Sequence, residues 1–315
     1  MKRSLAPADL DAPVNDVASS ASRAAHNMKQ PLFAKLSPVI AHAPQLFQGL
    51  PKGAEPTYRR LEYVVGELTF TFVGPQLGAV ELRVLQGLVG LAGGRGASRP
   101  ARGTALREDV EALLEQQIVI TTSYNDLART IGYCTDSGSA HRSIREALEK
   151  LFTLAVFVGP TSNRRSQDFA AGHLFSRLAS RDAGCTLSIE MCPVLASAVL
   201  GGPGEYLRVS LDEVRQLKTD VARLLHHRLH WINTGHQREV GLDKLVGYVW
   251  PEPACGVTQR KRRERVREAL NELESLGWRV THCDNVYRIG RPAGTVTPSL
   301  PKRSHRPAAS VTPLQ

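Results

Sequence analysis

A short run of basic residues near the carboxyl-terminal end of the chain has the chemistry needed to bind an anion. The guanidinium group of arginine donates two parallel hydrogen bonds to O6 and N7 of guanine, and it also pairs with phosphate oxygens. Threonine and glutamine add neutral hydrogen-bonding groups. The candidate nucleic-acid contacts in this run are Thr258, Gln259, Arg260, Lys261, Arg262, Arg263 and Arg267.

The spacing of these residues predicts a helix with one basic side. Arg260, Arg263 and Arg267 recur at i, i+3 and i+7, and we expect Thr258 to be the N-cap. A helix start favours acidic residues because its N–H groups carry partial positive charge, so each cation there costs about a few tenths of a kcal/mol. That local disadvantage indicates an anionic partner. The alternative is a solvated face on which neighbouring glutamates pair with the arginines.

The basic helix belongs to an internal duplication. Ser143–Val158 and Arg265–Val280 align without a gap and share the sequence Arg-Glu-Ala-Leu. In both copies the apolar residues fall on one face at 100° per residue, which predicts a helix buried along one stripe. The stripe residues are Ile144, Ala147, Leu148, Leu151 and Leu154 in the first copy, and Val266, Ala269, Leu270, Leu273 and Leu276 in the second.

The segments that flank the two copies also match. A short helix is predicted before each copy, at Ser123–Gly132 and Leu242–Val249, and an apolar helix lies further upstream, at Leu82–Leu91 and Val221–Trp231. Strand-like sequence follows each copy. The order of helix, short helix, turn, longer helix and hairpin is that of a helix-turn-helix with a wing. We therefore predict an α+β fold, mainly α with short β hairpins, built from tandem winged-helix domains.

Turn and cap residues support this order. Ser123 or Asn125 is the expected cap of the first short helix, which should end near Gly132. The Cys283–Asp284–Asn285 sequence suits the turn of a β hairpin in the second copy.

The first copy carries a weaker version of the basic face. At the positions equivalent to the three spaced arginines it has Gly138, His141 and Arg145. We expect less direct reading of bases by this copy. Its candidate DNA-binding residues are Ser137, Ser139, His141, Arg142 and Arg145.

Two further arginines, Arg164 and Arg165, lie in a polar stretch after a predicted strand at Ala155–Val158. They are candidates for the tip of a wing that touches phosphate, and the alternative is an ordinary exposed loop.

Composition limits the class of protein. The chain has 315 residues and a formal net charge of +10, which favours a polyanionic partner. Its five cysteines form no CxxC pair, and no block of further metal ligands accompanies His226 and His230, so we expect no metal. The sequence also has no phosphate-binding loop, and we expect no cofactor. The absence of an apolar leader or spanning segment predicts a cytoplasmic protein with no membrane partner.

Composition also suggests domain boundaries. Residues 1–56 are rich in Ala, Pro and Ser and are expected to be a flexible arm, with a short helix around Ala43–Leu50. A Gly-Gly-Pro-Gly break divides a first winged-helix domain, 57–202, from a second, 203–290. Residues 291–315 are expected to be a basic, Pro-rich, disordered tail.

Several segments resemble a known family. Gly74–Gly93, Tyr206–Leu229 and the long, distinctive Gly247–Thr281, with a weaker match at Ala43–Gly53, are similar to the replication initiator C (RepC) proteins of IncQ-type plasmids. The resemblance implies binding to directly repeated sequences (iterons) in double-stranded DNA at the origin of vegetative replication. It also implies opening of the adjacent DNA and loading of the plasmid-encoded helicase and primase. In that family role, residues 260–267 would form the recognition helix of the second unit.

Two other functions fit the same pattern. A winged-helix transcriptional regulator would bind one palindromic operator instead of tandem repeats. An enzyme that nicks or joins DNA would need a nucleophile beside metal-binding histidines, which none of the tyrosines at 124, 133, 206 and 248 has in sequence. We therefore expect no catalytic residue. Pairing of two copies through the strand Glu67–Val73 is the expected route to a homodimer.

Overall fold

The computed structural model describes residues 33–51, 53, 57–94, 118–135, 138–161, 169–181, 186–192, 195–196 and 206–293. The described residues form helices and antiparallel sheets, so the fold is α+β, as predicted. The elements up to residue 191 are β1 Phe33–Leu36, α1 Pro38–His42, β2 Tyr58–Val65, β3 Leu68–Pro75, α2 Ala79–Gly94, β4 Ile118–Thr122, α3 Tyr124–Ile131, α4 Gly138–Thr153, β5 Ala155–Pro160, β6 Ala170–His173, β7 Phe175–Arg181 and β8 Thr186–Met191.

The remaining elements begin with a strand that returns to pair with β1. They are β9 Leu207–Ser210, α5 Leu211–Gln216, α6 Asp220–Leu229, β10 Gln237–Gly241, α7 Leu242–Val249, α8 Gly256–Ser275, β11 Arg279–Cys283 and β12 Val286–Gly290.

The duplication is present in three dimensions. Two three-stranded antiparallel sheets have the same connectivity, with orders β4-β8-β7 and β10-β12-β11. In each, the first strand leads directly into a short helix, α3 or α7, and a longer helix, α4 or α8, follows. We call α2, β4, α3, α4, β7 and β8 the first unit, and α6, β10, α7, α8, β11 and β12 the second unit.

Local sequence determines where the short helix of the first unit begins and ends. The Ser123 side chain accepts a hydrogen bond from the backbone N–H of Asp126 at 3.0 Å, which confirms Ser123 as the cap. Gly132 then ends the helix in the left-handed conformation, at φ 74°. The predicted hairpin of the second unit is also present, and Asp284 adopts a positive φ of 54° in its turn.

The predicted buried stripes of both long helices are present. In α4 every predicted stripe residue is at most 2% exposed, and Leu154 lies just beyond its end. In α8 the stripe residues Val266, Ala269, Leu270 and Leu273 are buried, whereas Leu276 is only partly buried at the helix end. Because the same stripe is buried in both units, one packing pattern serves both.

The strand after the first copy does not form the predicted wing. β5 pairs with β3 and β6 in a separate four-stranded sheet of order β2-β3-β5-β6. The strands equivalent to β11 and β12 are instead β7 and β8, which lie further along the chain. The predicted strand at Ala155–Val158 is present as β5. Its assignment to the wing of the first unit was wrong, because β5–β6 is an insertion between α4 and the hairpin of that unit.

The predicted flexible arm contains folded structure. β1 pairs in antiparallel register with β9, and Leu36, Ile40 and Phe47 are buried. The residues after α1 run across the second unit, where the Gly49 N–H donates to the Val249 carbonyl at 2.7 Å. We call residues 33–51 the strap. The prediction of a flexible arm is wrong for this part, and the short helix lies at Pro38–His42, earlier than expected.

One apolar core continues through both units. It includes Leu85 and Leu88 of α2, Leu225 of α6 and Leu245 of α7, all at most 1% exposed. The predicted division at residues 202–203 lies outside the described residues and remains a prediction. Among the described residues, no helix is long and apolar enough to cross a membrane.

Candidate nucleic-acid interface

The basic run begins the longest helix of the structure, but the helix starts earlier than predicted. α8 begins at Gly256, whose φ is +58°, and Cys255 is the N-cap. Thr258 therefore lies inside the first turn and is not the cap. The Cys255 side chain makes no capping hydrogen bond, and the first turn contains no acidic residue. The start of α8 thus keeps its partial positive charge uncompensated, which favours an approaching anion.

The cations of this helix differ in how freely they face solvent. Arg260, Lys261 and Arg267 are exposed, as are Thr258 and Arg265. Arg260 and Arg267 lie on one side of α8, two turns apart, at the spacing that the sequence predicted. They are therefore placed to reach a ligand that runs along this side of the helix.

Arg262 points to the opposite flank of the helix, towards the turn that precedes it. Its guanidinium donates to the Glu252 carbonyl at 2.6 Å and lies 5.5 Å from the ring centroid of Trp250. These contacts stabilise the turn between α7 and α8. Arg262 therefore has a structural role at the start of α8 and is not part of its exposed basic side.

Arg263 is held by a carboxylate of the neighbouring short helix. Its Nε and one terminal nitrogen donate to the two oxygens of Asp243, each at 2.8 Å. Gln259 also donates to Asp243, at 3.0 Å. The hydrogen bond from Arg263 lowers the pKa of Asp243, and the same bond raises the pKa of Arg263. Both groups are therefore charged at neutral pH.

The first unit has the corresponding helix with fewer cations. Ser139, Arg142 and Arg145 are exposed on α4, and Arg145 pairs with Glu149 at 3.0 Å. His141 is half-buried, and its Nε2 lies 2.8 Å from Oδ1 of Asn125 on α3. Ser137, Arg164 and Arg165 lie outside the described residues, so their predicted contacts are untested.

The sheet of the second unit adds polar residues that sequence reasoning missed. Arg279, Thr281, His282 and Arg288 are exposed on β11 and β12. Arg288 pairs with Glu239 of β10 at 2.6 Å. The alternation of polar and apolar residues along these strands was the available signal for an exposed sheet face.

A metal centre has no support in the part of the chain that the structure describes. There, no group of three or more His, Cys, Asp or Glu side chains is arranged to hold a metal ion. His226 and His227 of α6, and His230 at its C-cap, are buried in the core.

These features define the class of protein: an α+β chain that repeats one helix-and-sheet arrangement and exposes a basic helix in the second copy. The chain belongs to the replication protein C (RepC) family, whose profile matches residues 29–293. The resemblance found in the sequence is thereby confirmed. No curated protein matches the chain.

Solved structures of two domains of RctB are similar in fold. The structure of RctB domains 2–3 has a TM-score of 0.51 and 13% sequence identity, and the match covers 81% of this chain and 96% of that one. A selenomethionine derivative of domains 2 and 3 of RctB gives a TM-score of 0.48 at 13% identity, covering 77% and 93%. At this identity the first likeness shows the fold alone.

Proposed function

We propose that this RepC-family protein initiates plasmid replication by binding directly repeated sequences in double-stranded origin DNA through two winged-helix units. The observation that carries the proposal is the repeated arrangement with a basic helix, α8, exposed at the position of a recognition helix. The protein acts by binding, without a catalytic step.

The connectivity of each unit supports the winged-helix assignment. Each unit has a helix, a strand, a short helix, a longer helix and a hairpin in this order, with β5–β6 inserted before the hairpin of the first unit. The first strand pairs with the last strand of the hairpin. In such units the longer helix enters the major groove, and the helix before it crosses the backbone. α8 and α4 then read bases, and the hairpins β11–β12 and β7–β8 lie beside the phosphates.

The charge distribution supports DNA as the ligand. Arg260 and Arg267 are exposed on one side of α8, and Arg279 and Arg288 are exposed on the adjoining sheet. Each cation that contacts a phosphate releases a counterion, so binding weakens steeply as salt rises. Two recognition helices one helical turn apart cover a site on the order of 20 bp.

Initiation also requires the duplex to open, and binding energy is the proposed source. Bending or untwisting of a deformable sequence stores part of that energy in the DNA. The resemblance to the family suggests that the plasmid helicase and primase load at the opened site. DNA that stays unbent and unmelted at saturating protein would contradict this step.

Footprinting on a plasmid origin that carries tandem direct repeats tests the proposal. The wild type should protect each repeat, and Arg260→Ala/Arg267→Ala should weaken protection by at least about tenfold, because two contacts of about 1 kcal/mol or more are lost. The double variant should also show a smaller decrease of affinity with rising salt, by one counterion for each phosphate contact that is lost.

A control variant separates local contacts from net charge. Arg60→Ala/Lys218→Ala removes the same charge from exposed positions outside both long helices and should leave protection unchanged. Protection of one palindrome by the wild type would instead indicate a transcriptional regulator. Protection of no duplex at any salt concentration would reject DNA binding by α8.

A further inference from the structure

The two units share a contact that neither the family nor the fold assigns. In each unit, the second residue of the short helix hydrogen-bonds a residue at the same aligned position of the long helix. In the second unit the pair is Asp243 and Arg263, and in the first it is Asn125 and His141. The aligned positions coincide, because His141 precedes Arg263 by the same interval that separates the two copies.

The two pairs occupy equivalent positions in their units but consist of different residue types. Asp243 and Arg263 form a charged pair with two hydrogen bonds, whereas the amide of Asn125 and the ring of His141 are joined by one. A duplicated fold has therefore kept the contact while changing the residues on both sides. An acid in the first turn of α7 also favours that helix, but this does not explain the matched amide in α3.

The guanidinium of Arg263 keeps N–H donors that Asp243 does not use and that could bind a base. A guanidinium has five N–H donors in a rigid fork. Asp243 occupies Nε and one hydrogen of a single terminal nitrogen. Three donors on the two terminal nitrogens remain, and these are the groups that bond guanine O6 and N7 in bidentate reading.

The amide in the first unit sets a different pattern. Asn125 Oδ1 accepts from His141 Nε2, and in the tautomer that carries its hydrogen on Nε2 the other nitrogen, Nδ1, is an acceptor. An acceptor in the major groove selects the exocyclic amines of adenine or cytosine. The ring also lies 5.8 Å from that of Tyr124, which limits its movement.

We propose that Asp243 and Asn125 are positioning residues that determine specificity, because each fixes the base-reading side chain of its unit. Asp243 orients Arg263 towards guanine, and Asn125 orients His141 towards a base with an exocyclic amine. This inference rests on the proposed function, since both side chains must lie in the major groove.

Selection of bound sequences from a random duplex library tests the inference. The wild type should select a motif with a preferred guanine in the half read by the second unit. Asp243→Ala should reduce discrimination at that position by about five- to tenfold while keeping the preferences elsewhere. Its affinity for random duplex should stay equal or rise, because a negative charge near phosphate is removed.

A matched control removes a similar acid from another helix start. Asp220 is the first residue of α6 and pairs with Arg223 at 2.9 Å. Asp220→Ala therefore removes an ion pair and an acid at a helix start, and neither member of this pair is in α8. It should leave the selected motif unchanged. In an Arg263→Ala background, Asp243→Ala should cause no further loss of discrimination.

A transplanted pair gives the second arm of the test. Asn125→Asp/His141→Arg recreates the charged pair in the first unit, and it should change the preferred base there to guanine. An unchanged motif for both Asp243→Ala and the transplant, with the wild-type motif intact, would overturn the inference alone. A wild type that selects no motif would overturn the proposed function instead.

Discussion

Two histidines of α6 and the histidine at its C-cap are buried in the core. His226, His227 and His230 are at most 2% exposed. The Nε2 of His226 lies 2.7 Å from Glu213, which also accepts from the indole N–H of Trp278 at 3.1 Å. Burial raises the pKa of Glu213, but these hydrogen bonds outweigh it and lower that pKa overall. The cluster is thus part of the core.

Burial makes these histidines sensitive to acid. It lowers the pKa of His227 to about 3, with further lowering by the charge of Arg228, and burial also lowers the pKa of His230. Both rings are neutral in the folded state over a pH range in which the unfolded chain is protonated. Below about pH 6.5 the unfolded state therefore binds more protons, and the folded state loses stability.

We predict that the free energy of unfolding falls as pH drops from 6.5 towards 4. Each such histidine contributes a slope on the order of 1.4 kcal/mol per pH unit, and Glu213 adds to the loss at the acidic end. His227→Gln should flatten this dependence, because glutamine does not titrate. Urea unfolding at several pH values measures it. His236→Gln, at an exposed site, is the control, and equal slopes for wild type and His227→Gln would contradict the assignment.

At this scale the sequence predicted residue types better than contacts. The basic residues of α8 and the cap at Ser123 followed from periodicity and capping preference. Asp243 was missed, because its partner Arg263 lies on another helix and spacing within one helix does not reveal such a contact. The position of Thr258 was wrong, because the helix begins three residues earlier than expected, at Gly256 with Cys255 as its N-cap.

Among the elements, the packing of α2 on α3 depends on a glycine. A Cβ at Gly87 would lie 2.3 Å from Cγ2 of Ile131 and 3.0 Å from Cδ1 of Leu127. The two helices therefore approach more closely than any larger residue allows. This contact positions α3 and, through it, the long helix α4 of the first unit.

We predict that Gly87→Ala destabilises the protein by about 1–3 kcal/mol through overpacking. The sign of this change in the free energy of unfolding is informative, because alanine in place of glycine inside a helix normally stabilises a protein by about 1 kcal/mol. Gly93→Ala on the same helix is the control, since a Cβ there meets no atom within 4 Å. Thermal unfolding compares the two. Stabilisation by both substitutions would show that α2 and α3 can separate without cost.

Elements with strong local periodicity were predictable, whereas non-local pairing was not. The helices of both units follow from one apolar stripe repeated in sequence. The pairing of β5 with β3 does not, because β3 lies about 90 residues earlier along the chain. The strap was missed for a different reason: its Ala- and Pro-containing sequence is typical of a flexible arm, and its order comes from tertiary contacts.

For the whole molecule, the strap joins parts of the chain that lie far apart in sequence. Phe47 is 5% exposed and meets the ring of His227 edge-on at a centroid distance of 5.8 Å. A Cβ at Gly49 would lie 2.4 Å from Nε1 of Trp250, so the strap passes directly over the turn before α8. Nearby, Arg59 of β2 forms an ion pair with Glu252 of that turn.

We predict that Phe47→Ala lowers the free energy of unfolding by about 3–5 kcal/mol, the usual loss for a buried phenylalanine. Because the core is continuous, unfolding should remain a single calorimetric transition at a lower temperature. Phe33→Ala is the control on the same segment, since Phe33 is 39% exposed, and it should cost about 1 kcal/mol or less. Two separate transitions in the Phe47→Ala variant would show that the units fold independently.

The unlike pairs at equivalent places in the two units have a consequence for how copies line up on DNA. A molecule with an aspartate–arginine unit at one end and an asparagine–histidine unit at the other cannot be turned around without exchanging the bases it prefers. Under the proposed function, each copy sits on its repeat in one direction only. A row of repeats then has a head and a tail, and the two flanks of the array present different protein surfaces.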